Sequence, residues 1–191
     1  MRRTAERFLT TDQHEFGDAW RYELVNGWTV AHAAQSPEHG AILAGLLRAL
    51  GSRLWDNPDG CRPESGSGAV PRSAQRATVR IPDALIRCGE SPRVMFEVIS
   101  PSELRNWTER DAKRGDLQAV EGAHEIVELY QSERACHVYR RRPDGTWSFE
   151  AHGGPDAILR LPSVGLEIPL VEIYAFAELP EQGPDEASAG G

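Results

Sequence analysis

Two carboxylates interrupt otherwise apolar runs in the stretch RIPDALIRCGESPRVMFEVISPS, residues 80–102. Asp83 belongs to the first run and Glu97 to the second, and turn residues that include Gly89 and Pro92 separate the two runs. Burying an ionised carboxylate costs several kcal/mol or more unless the group is paired or bound to a metal. The two positions therefore indicate that negative charge is needed there.

A hairpin would bring these two acids together. If runs 79–87 and 93–99 pair antiparallel about Glu90, Asp83 lies directly opposite Glu97. The same register pairs apolar residues on the same face of the sheet: Ile81 with Ile99, and Leu85 with Met95. Directly opposed residues have Cβ atoms about 4.5–5.5 Å apart, so two like charges would destabilise the sheet. A divalent cation would relieve the repulsion, since Mg²⁺ typically takes one or two carboxylates together with water and phosphate oxygens.

Other arrangements of the pair remain open at this point. One acid could face solvent at a strand end, or the neighbouring Arg80 and Arg87 could neutralise both. A slip of one residue in the register would also move the two side chains to opposite faces.

A lysine follows the acid pair on a predicted helix over residues 108–121. Lys113, Leu117 and Val120 share one stripe of this helix, which directs the lysine toward the core or its edge. Glu109 lies one turn earlier and could form an i, i+4 pair with it. An ammonium beside bound metal could orient an attacking water and stabilise charge on a phosphate. The alternative is that the lysine extends along apolar surface to water.

Local signals predict the elements that position these groups. Asn26-Gly27 predicts a hairpin turn, and Ser36 followed by Pro37 predicts the start of a helix. The predicted elements are strands at 21–26, 28–33, 124–131, 135–141 and 146–152, and a helix at 36–55. Segment 56–75 is rich in turn residues and is expected to be a long excursion that could contain a short strand. Hairpins followed by an inserted helix predict an α/β or α+β fold with a mixed sheet, in one domain over 1–179. The tail, 180–191, is expected to be disordered.

Composition limits the classes of function. The net charge of −8 argues against a general nucleic-acid coat protein but leaves room for a local basic patch. The arginine-rich segments 105–114 and 139–142 are expected to be solvated. No apolar run approaches the ~20 residues of a membrane helix, and the N-terminal segment lacks the apolar core of a secretory signal, so we expect a cytoplasmic protein without a membrane partner. Three separated cysteines predict neither a disulfide framework nor a CxxC metal site.

Motifs of several other enzyme classes are missing from the sequence. It contains no GxxxxGK[ST] phosphate loop, no GxSxG elbow, no HExxH and no GxGxxG after a strand. Five histidines without ligand spacing are interpreted as ordinary surface or core residues: His14, His32, His124, His137 and His152.

Pro82-Asp83, then Glu97 within EVISPS, then a lysine is the order of the PD-(D/E)XK nuclease superfamily. Across nearly its whole length the chain resembles the Uma family of putative restriction endonucleases. The resemblance rests on YELVNG (22–27), SPEHG (36–40), RIPDALI (80–86), FEVISPS (96–102), TERDAK (108–113), VYRRRPDGTW (138–147) and LPSVGLEIPLVEIY (161–174).

This resemblance implies a restriction-endonuclease-like fold, in which helices flank a central mixed sheet. It implies that Asp83 and Glu97 hold Mg²⁺ or Mn²⁺. The superfamily's lysine position, two residues after the acid, is Ile99 here, so Lys113 on the following helix is the matching lysine. Glu23 also falls on a family position and could reach the metal directly or through water.

His39 is a further family position, for which we expect a structural or capping role. Two positions depart from the family pattern: Glu109 stands where members typically have aspartate, and Leu117 where a tyrosine is common. The connection between EVISPS and the lysine is also about two residues longer than usual. These departures concern the assignment of Lys113 more than that of the acid pair.

The resulting functional expectation is a metal-dependent nuclease that hydrolyses phosphodiester bonds, with DNA as the expected nucleic acid. By analogy with enzymes that act on both strands of a duplex, we expect a homodimer. The alternative is a catalytically inactive nuclease-fold protein that acts as a binding or regulatory module.

Overall fold

The computed structural model describes residues 3–17, 21–72 and 77–179. The predicted disordered tail, 180–191, lies outside these residues. The α-helices are Ala5–Thr10 (α1), Pro37–Leu54 (α2), Pro101–Arg105 (α3), Trp107–Gln118 (α4) and Leu170–Ile173 (α5). The strands are Arg21–Val25 (β1), Trp28–His32 (β2), Cys61–Ser65 (β3), Ala84–Cys88 (β4), Ser91–Ile99 (β5), Glu125–Tyr130 (β6), Ala135–Arg141 (β7), Trp147–Gly153 (β8), Ile158–Leu161 (β9) and Leu166–Pro169 (β10). Within the described ranges, no helix has both the length and the apolar character required to cross a bilayer.

Six strands form the central sheet in the order β3-β4-β5-β6-β7-β8. All neighbouring pairs are antiparallel except β5 and β6, which are parallel. Parallel neighbours need a long crossover connection, and α3 and α4 supply it. Two smaller ladders join β1 to β2 and β9 to β10. The predicted mixed sheet flanked by helices is confirmed.

The two faces of the central sheet carry different helices. On one face, α2 and α5 pack on apolar residues of β4–β7, including Phe96, Val98 and Val127. On the other face, Leu117 of α4 packs against Leu85, Met95 and Ile126. Side chains alternate between faces along a strand, so Glu97 shares the α4 face with Met95. The sheet thereby presents one acid of the predicted pair to the lysine-bearing helix.

Local sequence signals account for two of the observed elements. Asn26 and Gly27 both adopt positive φ, +53° and +84°, which is the requirement of the turn that joins β1 to β2. Ser36 caps α2, and its hydroxyl accepts a hydrogen bond from the His39 N–H at 3.2 Å. Pro37 occupies the first turn, where its missing N–H is not needed.

The predicted strand over 79–87 is shorter than expected. β4 begins only at Ala84, whereas Val79 and Arg80 form isolated bridges to Leu24 and Ala69. Pro82 lacks a backbone N–H, so it cannot donate to a continuous ladder. Asp83 thus lies immediately before β4 rather than inside a strand.

The predicted hairpin register is confirmed in the middle and wrong at the turn. Leu85 lies opposite Met95, as expected, but the register shifts between Ile86 and Arg87. Cys88 consequently pairs with Ser91, and the hairpin is not centred on Glu90. The ladder with β5 begins at Ala84, so the expected pairing of Ile81 with Ile99 is absent from it, and Asp83 precedes the ladder.

The expectation that the cysteines provide no disulfide framework is wrong for one pair. Cys61 on β3 lies opposite Cys88 on β4, and a disulfide joins them. The two residues are 27 positions apart, so spacing in the sequence gives no sign of their contact. Cys136 is free and buried on β7.

Candidate active site

Asp83 lies at the entrance to β4, buried and surrounded by hydrogen-bond donors. Its Oδ1 accepts hydrogen bonds from Arg21 Nη1 at 2.9 Å and Gln35 Nε2 at 3.0 Å. Its Oδ2 accepts one from the Val98 N–H at 2.8 Å and lies 3.3 Å from His39 Nε2. Burial opposes ionisation, but the contact with His39 and the nearby positive charges outweigh it, and the pKa of Asp83 falls well below its usual range. Asp83 is therefore an anion fixed by four groups.

Glu97 lies on β5 and is in a different electrostatic state. Its Oε2 accepts a hydrogen bond from Lys113 Nζ at 2.8 Å. Its Oε1 is buried without a hydrogen-bond partner in the part of the chain that the structure describes. Burial raises the pKa of Glu97 to about 8, against the pull of Lys113 and with the help of the negative charges of Asp83 and Glu23. Glu97 therefore retains a proton near neutral pH unless further positive charge arrives.

Lys113 is directed inward by α4 and bridges two carboxylates. Its Nζ lies 2.8 Å from Glu97 Oε2 and 3.2 Å from Glu23 Oε1. Burial alone would lower the pKa of this ammonium, but the surrounding carboxylates raise it above its ordinary value. The helical stripe that it shares with buried Leu117 is the local reason for its direction.

Glu23 of β1 is completely buried and its two oxygens are fully engaged. Oε1 accepts the Ile81 N–H at 2.9 Å and lies 3.2 Å from Lys113 Nζ. Oε2 accepts from Arg80 Nη1 at 2.9 Å and lies 3.3 Å from His32 Nε2. Burial opposes ionisation, yet these contacts, His32 first, hold the pKa of Glu23 far below its usual range. Glu23 connects the β1–β2 hairpin to the lysine.

His39 and Glu109 make different contacts, and only His39 bonds one of the two acids of the predicted pair. Besides donating its backbone N–H to the cap of α2, His39 contacts Asp83 through Nε2 and lies 3.2 Å from Gln131 Nε2 through Nδ1. Glu109 accepts a hydrogen bond from Asn106 Nδ2 at 2.7 Å. The possible i, i+4 pair with Lys113 is not formed, because the lysine turns inward to the buried acids while Glu109 is exposed.

The arginine that neutralises Asp83 is not one of the two neighbours considered from the sequence. Arg80 bonds Glu23, and Arg87 bonds Glu64 at 3.0 Å. Arg21, 62 positions before Asp83, supplies the ion pair instead. Its contact depends on the position of the β1–β2 hairpin over the sheet.

A further buried acid lies beside Glu97 and was missed from the sequence. Glu128 on β6 is the register partner of Glu97, and adjacent strands lie about 4.8 Å apart. Its Oε1 accepts from Arg114 Nη1 at 3.0 Å, and its Oε2 lies 3.6 Å from Arg110 Nε. Burial raises the pKa of Glu128, against the two arginines. An acid within the apolar run HEIVELYQ is the same signal that identified Asp83 and Glu97, so the sequence did contain it.

A cavity of about 280 Å³ opens over Glu97, between α4 and the β1–β2 hairpin. Its lining includes five permanently cationic side chains: Arg21, Arg80, Arg110, Lys113 and Arg114. Four glutamates also line it: Glu97, Glu103, Glu109 and Glu128. Each of the five cations is paired with a carboxylate, so the lining combines both signs of charge in a chain whose net charge is negative. Arg110 and Arg114, expected in solvent, face the site.

The donor groups of the site determine which kind of cation it could hold. Over residues 3–17, 21–72 and 77–179, no three His, Cys, Asp or Glu side chains form a group arranged to hold a metal. Two carboxylates remain as candidates, Glu97 with its unpartnered buried Oε1 and Asp83 as a fixed anion. Mg²⁺ is commonly bound through one or two carboxylates and keeps several waters. The unpartnered Oε1 of Glu97 fits a small, largely hydrated divalent cation. Asp83, which is not among the residues that line the cavity, could join it only by exchanging one of its four contacts.

Comparison with known proteins identifies the family and the fold of the chain. A sequence model of the family Uma2, described as "putative restriction endonuclease", matches residues 5–171. A crystal structure of a putative nuclease belonging to DUF820 from Anabaena variabilis ATCC 29413 has the same fold, with a TM-score of 0.69 and 17% identity over 91% of this chain and 98% of that chain. No curated protein matches the sequence significantly. Because the family match spans most of the chain, the protein belongs to the Uma2 family of putative restriction endonucleases.

Proposed function

We propose that the protein is a metal-dependent nuclease of the PD-(D/E)XK type that hydrolyses phosphodiester bonds in DNA. The observation that carries the proposal is the unpartnered Oε1 of Glu97, buried beside Lys113 at the base of a cavity lined by cationic side chains. A buried carboxylate oxygen without a donor is costly, and a cation from solution would satisfy it.

Asp83 and Glu97 would hold Mg²⁺ or Mn²⁺. Such an ion, when bound, lowers the pKa of a coordinated water and neutralises charge on the phosphate. The protein's own contribution is to keep Asp83 ionised, through Arg21 and His39, and to aim Glu97 into the cavity. Binding of the cation would release the proton of Glu97.

Lys113 would act on the substrate from the side of α4. Its ammonium can donate to a non-bridging phosphate oxygen or orient the attacking water, and either role stabilises developing negative charge. Glu23 is engaged by four contacts, as Asp83 is, but two of its partners are Lys113 and Arg80, which line the cavity. We therefore assign Glu23 a positioning role, in which it holds Lys113 and Arg80 at the cavity wall.

Membership of the Uma2 family supports a nuclease acting on nucleic acid. Duplex DNA has two strands, so we further propose that the active unit is a homodimer with one site per strand.

The four contacts to Asp83 also favour a second candidate, an inactive nuclease-fold binding or regulatory module. Arg21 already neutralises Asp83, and Lys113 already serves Glu97, so the site is electrostatically satisfied in part without a metal. Divalent-cation titration of the wild type and Asp83→Ala separates the two candidates. A module with no metal site would give equal titrations.

The activity test uses supercoiled plasmid and single-stranded DNA with Mg²⁺ or Mn²⁺. Wild type is compared with Asp83→Asn, Glu97→Gln and Lys113→Met, and with Glu167→Gln as a control whose carboxylate is exposed. We expect cleavage by wild type and by the control, and its loss in both acid variants. Equal cleavage by all five preparations would identify a contaminating nuclease and refute the proposal.

A further inference from the structure

A cluster of aromatic rings lies on β6, β7 and β8 beside the cavity. Tyr130 and His137 have ring centroids 4.8 Å apart, and His137 and Phe149 are also 4.8 Å apart. Phe149 in turn lies 5.3 Å from Tyr139. We call these four residues the aromatic platform. Its rings meet mostly edge to face, an arrangement that aromatic pairs prefer.

The aromatic platform belongs to the same face of the sheet as the candidate site. Glu128 is the register partner of His137, and Tyr139 is the register partner of Phe149. Strand alternation therefore puts all these side chains on the α4 face. The core beneath α4 is built from β4, β5 and β6, and Phe149 on the edge strand β8 remains 55% exposed. A large aromatic ring is thus presented to solvent next to the cavity.

Arginines connect the aromatic platform to the cavity. The Arg114 guanidinium lies 4.3 Å from the Tyr139 ring centroid and donates to Glu128. Arg110, on the same side of α4, lines the cavity, and its one ion pair within the described residues is the 3.6 Å contact with Glu128. A strand that entered the cavity would pass these two arginines and then meet the rings.

Positive charge continues at the far end of the aromatic platform. Arg141 follows Tyr139 on the same face of β7, about 7 Å along the strand. Arg141 lines an open hollow together with Arg142 and Arg72, and Arg72 is paired with the exposed Glu121, which also lines the hollow. The rings therefore lie between two groups of cationic side chains, which is the pattern of a surface that stacks bases and contacts phosphates.

We propose that the aromatic platform binds an unpaired, single-stranded segment of the nucleic-acid substrate, with a base stacked on Phe149 and phosphates near Arg110 and Arg141. Stacking requires an exposed base face, which a duplex hides within its own stack. This inference rests on the proposed function for its choice of nucleic acid as partner, and it adds the requirement that the substrate carry an unpaired segment beside any duplex that the enzyme cleaves.

The test measures binding without cleavage. A fluorescent oligothymidylate of about 15 nucleotides, within the usual range of such sites, and a duplex of equal length are titrated in EDTA by fluorescence anisotropy. Phe149→Ala is compared with wild type and with Phe176→Ala, a control of the same residue type and nearly the same exposure, 56% against 55%, away from the platform. We expect Phe149→Ala to weaken single-strand binding by a factor of about 5 to 150, from the usual value of one stacked base. Duplex binding and the control should remain as in wild type.

Two results would overturn the inference. One is unchanged single-strand affinity in Phe149→Ala. The other is a change from dimer to monomer in sedimentation on the same substitution, which would identify the platform as an interface with a second copy. The proposed function fails separately: protein that binds the oligonucleotide through Phe149 but never cleaves it with Mg²⁺ or Mn²⁺ would refute the nuclease and retain the platform. Conversely, Phe149→Ala could cleave DNA and bind the single-stranded oligonucleotide as wild type does. That result would refute the platform and retain the nuclease.

Discussion

Lys113 Nζ lies 2.8 Å from Glu97 Oε2, although the two residues are 16 positions apart on different elements. The same ammonium lies 3.2 Å from Glu23 Oε1. One ammonium therefore contacts two buried acids, of which Glu97 has a raised pKa and Glu23 a lowered one.

The first prediction is energetic coupling between Lys113 and Glu97. Lys113→Met should lower the free energy of unfolding by about 3 kcal/mol at pH 8, because it leaves buried carboxylates without their cation. Glu97→Gln in the same chain should recover part of this loss, with a coupling energy of roughly 0.5–3 kcal/mol by urea denaturation. Strict additivity of the two substitutions would contradict the ion pair.

The second prediction concerns how the stability of the metal-free protein depends on pH. The pKa of Glu97 is raised in the folded state to about 8, from an ordinary value of 4.5. The folded state therefore holds this proton more tightly, and the stabilisation that it brings is complete below about pH 4.5 and is lost as the pH rises to about 8. Glu97→Gln cannot lose a proton, so its stability relative to wild type should rise between pH 5 and pH 8. A difference that stays constant over this interval would show that Glu97 titrates normally.

The third prediction separates buried from exposed ion pairs. Glu23→Gln should destabilise the protein by about 3–5 kcal/mol, because Arg80 and Lys113 lose a buried countercharge. Glu167→Gln is the matched control, since its pair with Arg160 is more than half exposed on both sides and such pairs contribute about 0–1 kcal/mol. Comparable losses for both variants in guanidinium denaturation would argue that Glu23 is not a structural anchor of the site.

The fourth prediction concerns the disulfide. Closing a loop of 27 residues should stabilise the oxidised protein over the reduced one by about 3.5 kcal/mol. After treatment with oxidised glutathione, thiol titration in denaturant should find one thiol, that of Cys136, and three after reduction. The control, Cys61→Ala/Cys88→Ala, should be insensitive to the reductant. Three reactive thiols in the oxidised wild type would mean that β3 and β4 do not bring Cys61 and Cys88 together.

Residues that the sequence could identify are those with local signals. Asn26-Gly27 and Ser36-Pro37 are signals confined to a few neighbouring residues, and they predicted a hairpin and the start of α2 correctly. Asp83 and Glu97 stood out as charges within apolar runs, and helical spacing directed Lys113 inward. Each of these inferences needs only the periodicity of one element or of one hairpin.

The tertiary structure decided which groups surround the acids. Arg21 and His39 contact Asp83 across 62 and 44 positions, and Glu128 lies beside Glu97 only because β5 and β6 are parallel neighbours. The disulfide depends in the same way on β3 pairing with β4. Strand order and the docking of a hairpin are set by the sum of many weak packing contacts over the whole core, and residue spacing along the chain does not reveal them.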